Sequence, residues 1–300
     1  MNVVKKLARR GGRSAGEIRP MNVVFDPFGY AAASVLYRCG DTIVYVSVSL
    51  VPGVPQFLRG KGSGWLTAEY EMLPIATRKR NQRESTQPQR NARSQEISRL
   101  IGRVFRTVFD VSKIGESTIH IDCDVLQADG GTRTAAISAV SLALQVACKK
   151  WHAEGYVSEF TVPEMIAGIS VGIKDDLILV DVDQDEDNSV DADFNFVMTQ
   201  SGGIIEIQGT CEKKPIPAEI FEKFHAAGRQ GVQDVFAALN EALKSINVSK
   251  DAMFKPAQPS VNDLPTTFGV MPKNAKTPQK TTEQKKPPLF SLANRLAPQS

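Results

Sequence analysis

Alternating apolar and polar residues predict strands in two groups along the chain. In the first group, Val23–Phe25, Ala31–Tyr37 and Thr42–Leu50 alternate with the period of two that gives a strand one buried face. Gly40-Asp41, between the last two, is typical of a hairpin turn. The remaining predicted strands are Ile119–Val125, Ile166–Ile173, Leu177–Val182, Asn195–Gln200 and Ile204–Gly209.

Three segments carry apolar residues at helical spacing and predict helices. They run from Ser94 to Asp110, from about Thr134 to Lys149, and from Pro217 to about Ile246. Strands followed by a helix therefore occur twice, before and after residue 155. This order predicts an α+β fold with a weak internal duplication.

The junction between a strand and a helix near residue 130 is typical of a phosphate-binding site. Gly130-Gly131 allows the backbone to approach a bound group closely, and the first N–H groups of the following helix favour an anion. Arg133 adds a planar fork of donors that suits a phosphate. From spacing alone, an ordinary turn with a surface arginine stays open as an alternative.

Composition narrows the class of protein. The chain of 300 residues is 42% hydrophobic and 23% charged, which is enough to bury a core. No apolar run reaches the length of a membrane span, so no membrane partner is expected. The four cysteines are far apart and form no CxxC pair, which argues against a zinc site or a disulfide framework. We therefore expect a cytoplasmic protein with reduced thiols.

The two signs of charge are concentrated in different stretches. The basic stretch suits an RNA backbone and the acidic stretch suits a hard cation. The basic stretch contains Arg78, Lys79, Arg80, Arg83, Arg90, Arg93, Arg99, Arg103 and Arg106, and the acidic stretch contains Asp181, Asp183, Asp185, Glu186, Asp187, Asp191 and Asp193.

Beyond residue 248 the composition changes. Residues 251–300 hold eight of the 17 prolines, many polar residues and few aliphatic ones. This composition predicts a disordered tail over 249–300. Two roles for it stay open: a basic arm that adds nonspecific RNA affinity, or an apolar docking segment near Leu289, Phe290 and Leu292.

Several stretches together resemble one family. Leu126–Thr134, Gly64–Pro74, Val197–Thr199 and Ile205–Thr210 are similar to motifs of ribonuclease PH, the phosphorolytic 3′-to-5′ exoribonucleases that trim tRNA precursors. The resemblance covers about residues 11–245. It implies a single-domain α+β fold of duplicated sheet and helix units over 11–248, between a short basic extension at 1–10 and the tail at 249–300.

The resemblance also implies site residues. Gly131, Thr132, Arg133 and Arg93 would bind the attacking inorganic phosphate, and Asp187 and Asp193 would bind a magnesium ion. Arg93, Arg133, Asp187 and Asp193 would thus be the catalytic set. In the family two glycines usually precede the first arginine, whereas Asn91-Ala92 stand here, so we expect less backbone freedom before Arg93.

A third set would contact RNA. Arg80 and Arg83 match two family positions that grip the tRNA acceptor stem, while Ile75 stands where the family usually has arginine. Arg78 and Lys79 lie close enough in sequence to substitute as nonspecific phosphate contacts.

The expected activity is that of a tRNA nucleotidyltransferase, which removes 3′ nucleotides from tRNA precursors with inorganic phosphate and releases nucleoside diphosphates. The resemblance implies a homohexamer built as a trimer of dimers. Two alternatives stay open: a catalytically silent RNA-binding or scaffold subunit of an exosome-like ring, and an enzyme that prefers messenger or ribosomal RNA.

Overall fold

The computed structural model describes residues 9–157, 163–213 and 215–246, which belong to one compact unit. The predicted disordered tail at 249–300 and most of the basic extension at 1–10 lie outside these residues. In the described part of the chain, no helix is long and apolar enough to cross a membrane.

A five-stranded sheet forms the first half of the fold. It contains β1 (Met21–Phe25), β2 (Ala33–Cys39), β3 (Thr42–Pro52), β4 (Trp65–Met72) and β5 (Ser117–Gln127) in the order β1-β2-β3-β5-β4. All neighbours are antiparallel except β4, which runs parallel to β5. The sequence analysis did not predict β4 as a strand, although its apolar residues alternate and its burial follows them.

A four-stranded antiparallel sheet forms the second half. It contains β6 (Ile166–Lys174), β7 (Leu177–Val180), β8 (Ala192–Thr199) and β9 (Ile204–Cys211) in the order β7-β6-β8-β9. Asp175 and Asp176, which join β6 to β7, both have positive φ, as a two-residue hairpin turn requires. The four strands predicted in this half are confirmed.

In the part of the chain that the structure describes, four α-helices accompany the sheets: α1 (Ala92–Arg106), α2 (Thr132–Ala153), α3 (Gln184–Asp187) and α4 (Ala218–Lys244). α2 is buried over most of its length and packs against β2 and β3 of the first sheet and β6 of the second. α4 covers the other face of the second sheet through β6 and β8. The predicted α+β class with repeated sheet and helix units is confirmed.

The connections between elements position the candidate site. β5 leads through residues 128–131 directly into the first turn of α2, and β7 leads through residues 181–183 into the one-turn helix α3. The backbones of these two connections touch, because a Cβ atom added to Gly130 would lie 2.7 Å from the carbonyl oxygen of Val182. The anion-binding turn and the acidic segment, 50 residues apart in sequence, thus share one corner of the fold.

Candidate active site

The turn before α2 has the geometry of an anion-binding site. Gly130 and Gly131 have φ of 78° and 62°, in the left-handed region that side chains rarely adopt. Gly131 is the N-cap of α2, so the N–H groups of Thr132 and Arg133 belong to the first turn, where they have no partner within the helix. The positive end of the helix adds to their attraction for an anion.

Thr132 is oriented by a buried tyrosine on β4. The Tyr70 hydroxyl donates to Thr132 Oγ1 at 2.9 Å. Burial raises the pKa of Tyr70 to about 12, so the phenol stays protonated and able to donate at neutral pH. Because Thr132 Oγ1 accepts this bond, its own proton remains available for another acceptor. Sequence analysis did not find this contact, which joins residues 62 apart in the chain.

Arg133 is largely buried against α1. Its side chain is 14% exposed, and Nη2 lies 3.5 Å from Glu96 Oε1. Glu96 also accepts a hydrogen bond of 2.9 Å from Gln208 Nε2 on β9. Glu96, on α1, therefore links the guanidinium of Arg133 to β9 of the second sheet.

Arg93 lies in the first turn of α1 and is exposed. Asn91 caps this helix, since its Oδ1 accepts a hydrogen bond of 2.9 Å from the Arg93 N–H. Asn91 has φ of −60°, a value that does not require glycine. The replacement of the usual glycines therefore leaves the helix start intact.

Three of the four phosphate-binding candidates border one cleft, and Arg133 is not among the residues that line it. Arg93, Gly131 and Thr132 line a cleft of about 470 Å³, and Asp187 lines it as well. Tyr70 and Ser94 contribute to the same wall as Arg93. The structure thus brings residues predicted from three separated motifs to a single opening.

The two predicted metal ligands are half-buried carboxylates. Asp187 ends α3 and Asp193 lies on β8. Burial raises the pKa of both, and the charge of Asp187 raises that of Asp193 further. The positive charge of Arg93 acts to lower the pKa of Asp187, and that of Arg133 acts to lower the pKa of Asp193. The four predicted catalytic side chains therefore lie within electrostatic range of one another.

A third carboxylate, Glu212, raises the pKa of both Asp187 and Asp193. It follows β9 directly, and no motif in the sequence pointed to it. Among the described residues, no group of three or more His, Cys, Asp or Glu is arranged to hold a metal ion by itself. Two carboxylates nevertheless fit magnesium, which commonly takes one or two of them and completes its shell with water and substrate phosphate.

α3 is a stable helical turn despite its four residues. Asp183 Oδ1 accepts from the N–H groups of Asp185 and Glu186 at 3.0 Å each, and Glu186 Oε2 accepts from the Asp183 N–H at 3.0 Å. This reciprocal capping box satisfies the N-terminal donors of the helix. Arg9 forms a two-point ion pair with Glu186, since its Nε lies 2.7 Å from Oε1 and its Nη2 lies 2.8 Å from Oε2. Asp187 therefore lies at the end of a turn that is held by its own capping box and by Arg9.

The predicted RNA contacts lie on the loop that joins β4 to α1. Arg78, Lys79, Arg80 and Arg83 are all exposed, and Arg78 Nη2 lies 2.9 Å from Asp185 Oδ2. Thr77 and Asn81 of the same loop line the cleft. The four cationic side chains therefore stand near the rim of the cleft.

Comparisons with known proteins agree with this architecture. The model of the 3′ exoribonuclease family, domain 1, matches residues 17–150, and that of the 3′ exoribonuclease family, domain 2, matches residues 164–231. These two domains divide the stretch that the sequence analysis treated as one ribonuclease PH domain.

Solved structures of similar fold include three exosome proteins. Rice (Oryza sativa) Rrp46 is 17% identical, with a TM-score of 0.63 over 78% of this chain and 100% of that chain. A chain of the Archaeoglobus fulgidus exosome with RNA bound to the active site is 18% identical, with a TM-score of 0.62 over 77% and 92%. A chain of an archaeal exosome core is 19% identical, with a TM-score of 0.61 over 76% and 90%. At these identities the likeness is one of fold.

Proposed function

Because this chain belongs to the 3′ exoribonuclease family and carries both of its domains, we propose that it is a phosphorolytic 3′-to-5′ exoribonuclease. Inorganic phosphate attacks the last phosphodiester of an RNA and releases a nucleoside diphosphate. The observation that carries the proposal is the convergence of Arg93, Arg133, Asp187 and Asp193 around one anion-binding turn.

The protein's main task in this reaction is to hold two anions together in line. Arg93 and the N–H groups of Gly131 and Thr132 border the cleft and bind the attacking phosphate. Arg133, braced by Glu96, adds a second guanidinium, and the Thr132 hydroxyl adds a neutral donor. Fixed donors of this kind stabilise charge that develops in the transition state without reorganising.

The acidic pair lies beside the phosphate-binding residues, since Asp187 lines the same cleft. Asp187 and Asp193 hold the magnesium ion, which when bound neutralises charge on the scissile phosphate and the leaving oxygen. Burial and the charge of Glu212 raise the pKa of each carboxyl, and the charge of Asp187 raises that of Asp193 further; a bound cation would offset both effects. Glu212 adds negative potential at the same place.

The substrate is the 3′ end of a tRNA precursor, with ribosomal RNA as a further substrate. The cationic loop containing Arg78, Lys79, Arg80 and Arg83 contacts the RNA backbone as the 3′ end enters the cleft. Ile75, 69% exposed on the same loop, supplies no phosphate contact. The enzyme works in the cytoplasm as a homohexamer, a trimer of dimers.

A second candidate function is that of a silent, RNA-binding ring subunit. The three similar exosome structures favour this reading, because ring scaffolds share the fold. The presence of Arg93 and Asp187 at one cleft, with Arg133 and Asp193 close enough to influence this site electrostatically, favours catalysis instead. One assay separates the two.

The test uses the full chain, magnesium and a tRNA that carries extra 3′ nucleotides, with and without inorganic phosphate. We expect nucleoside diphosphates that form only when phosphate is present. RNA binding without release would instead support the silent subunit, and monophosphates released without phosphate would mean hydrolysis. Arg229→Lys, an exposed change on α4 outside the basic stretch and the cleft, serves as the matched control with wild-type activity.

A further inference from the structure

A buried arginine braces the turn that leads into α2. Arg19 is 5% exposed, and its Nη1 donates to the Asp129 carbonyl at 2.6 Å. Its Nη2 makes a longer contact of 3.4 Å with the Gly130 carbonyl. Thr42 Oγ1 completes the brace, since it donates to the Gly130 carbonyl at 2.7 Å and accepts from the Asp129 N–H at 3.1 Å. The turn is thus held through its own peptide groups.

The same guanidinium forms a two-point ion pair with Asp181. Arg19 Nη2 lies 2.6 Å from Asp181 Oδ1, and Nε lies 2.9 Å from Oδ2. The Arg19 N–H also donates to Oδ2, at 2.7 Å. Burial by itself would raise the pKa of Asp181, but the hydrogen bonds and charge of Arg19 outweigh it and lower that pKa. Asp181 therefore stays ionised as a buried counter-ion.

Asp181 begins the connection that presents the acidic pair. The connection continues through Val182 to Asp183, the N-cap of α3, and α3 ends at Asp187. A Cβ atom on Gly130 would lie 2.7 Å from both the Val182 carbonyl oxygen and the Asp183 carbonyl carbon. The two connections therefore pack backbone against backbone, and Arg19 bonds to both.

We infer that Arg19, with Asp181 as its counter-ion, is a positioning residue that sets the phosphate-binding turn against the acidic segment; this inference rests on the proposed function. Arg19 lies in the stretch matched by the first family domain and Asp181 in the stretch matched by the second, so the pair joins the two domains at the site. Arg19 acts by orienting the N–H groups of Gly131 and Thr132. A guanidinium is required, because a lysine ammonium cannot span a carboxylate and two carbonyls at fixed angles.

The decisive comparison is Arg19→Lys against Arg13→Lys. Arg13 is similarly buried at 8% exposure, but it donates to the carbonyls of Glu17 and Asp181. Both substitutions keep the charge and disturb the same buried network. We expect Arg19→Lys to raise the KM for phosphate about tenfold with the KM for RNA unchanged, and Arg13→Lys to leave both within about twofold.

A second pair of variants covers the case in which Arg19→Lys fails to fold. Thr42→Val removes the hydroxyl from the brace while keeping its shape, and Thr42→Ser keeps the hydroxyl. We expect Thr42→Val, but not Thr42→Ser, to raise the KM for phosphate. Amide hydrogen exchange of a peptide covering residues 128–134 should be faster in Arg19→Lys and Thr42→Val than in their controls, with no ligand present.

Three results would overturn the inference: an unchanged KM for phosphate in both Arg19→Lys and Thr42→Val, an equal rise in Arg13→Lys, or unchanged exchange in residues 128–134. Failure of the proposed function is recognised separately. A wild-type chain without phosphate-dependent release contradicts that function, whereas the exchange comparison still decides whether Arg19 holds the turn.

Discussion

At the scale of single residues, Arg133 allows a sharp test of phosphate binding. Arg133→Lys keeps the positive charge but loses the planar fork that binds two oxygens at once. We expect the variant to fold normally, to raise the KM for phosphate about tenfold and to lose most turnover at low phosphate. Steady-state kinetics with varied phosphate measures this effect.

A wild-type KM for phosphate in that variant would remove Arg133 from the site. Arg229→Lys is again the control, because Arg229 carries the same side chain at an exposed position on α4. Any loss shared by both variants would have to come from something other than phosphate binding.

From the raised pKa values of Asp187 and Asp193, we expect the magnesium requirement to depend on pH. Burial and the nearby charge of Glu212 raise the pKa of both carboxyls, so they begin to take up protons above the ordinary aspartate value of about 4. Magnesium competes with those protons. We expect the magnesium concentration for half-maximal turnover to rise as pH falls from about 7.5 to about 5.5.

The same shifts have a definite sign for stability without metal. Between the ordinary and the raised pKa the folded chain holds more protons than the unfolded chain, so these two carboxyls add stability as pH falls and lose it as pH rises. Asp193→Asn should weaken the pH dependence of both the magnesium requirement and the stability. Asp176→Asn, in an exposed hairpin turn, should leave both pH dependences unchanged. An unaltered magnesium requirement in Asp193→Asn would exclude Asp193 as a ligand.

Local motifs identified the candidate site residues but not the residues that position them. Arg93, Thr132, Arg133 and Asp187 each stand in a short recognisable stretch. The bond from Tyr70 to Thr132 and the potential from Glu212 depend on contacts between distant segments. The pattern of residues within one stretch does not show which distant residues will contact it in the folded protein.

At the scale of elements, the start of α1 carries Arg93 and depends on its cap. Asn91→Ala removes the acceptor of the Arg93 N–H and should lower the free energy of unfolding by about 1 kcal/mol. Because Arg93 frays with the first turn, the KM for phosphate should rise as well. Urea denaturation and phosphate kinetics measure the two effects.

Asn91→Ser is the control, since serine is also a good N-cap. It should keep both the stability and the KM for phosphate near their wild-type values. Equal behaviour of the alanine and serine variants would show that the cap does not hold Arg93.

Element types were predictable where the pattern was long, and element ends were not. The helix predicted from Ser94 to Asp110 begins two residues earlier and ends at Arg106. α3 was read only as an acidic segment, although Asp183 and Glu186 have capping-box spacing. The parallel pairing of β4 with β5 is nonlocal, and α1 lies between them in sequence. Pairing of that kind has no local signature.

At the scale of the whole molecule, α2 makes the two sheets one folding unit. It is buried nearly all round and packs on both sheets, so neither sheet keeps a complete core without it. We expect a single unfolding transition of the body. Leu142→Ala, at a fully buried position of α2, should cost about 2–5 kcal/mol and shift that transition without splitting it.

Differential scanning calorimetry distinguishes the outcomes. Val24→Ala, on the edge strand β1 where Val24 is 46% exposed, should change stability by no more than about 0.5 kcal/mol. Two resolved transitions in the wild type or in Leu142→Ala would contradict a shared core.

The duplicated sheet and helix order was visible in the sequence, whereas the packing of both halves on one helix was not. Apolar residues at helical spacing predicted this helix, but they did not predict that it is buried on nearly all sides. The strand order of each sheet likewise depends on pairing between distant segments.

The grip of Arg9 on Glu186 also has a consequence for how the chain is made. The two residues are 177 positions apart, so the partner of Arg9 is synthesised long after Arg9 itself leaves the ribosome. At about 5–20 residues per second, the interval is on the order of 10–35 s. Throughout that time Arg9 lacks Glu186, its native carboxylate partner. Arg9 can therefore dock only after Glu186 has been made, and the acidic corner of the cleft is completed only then.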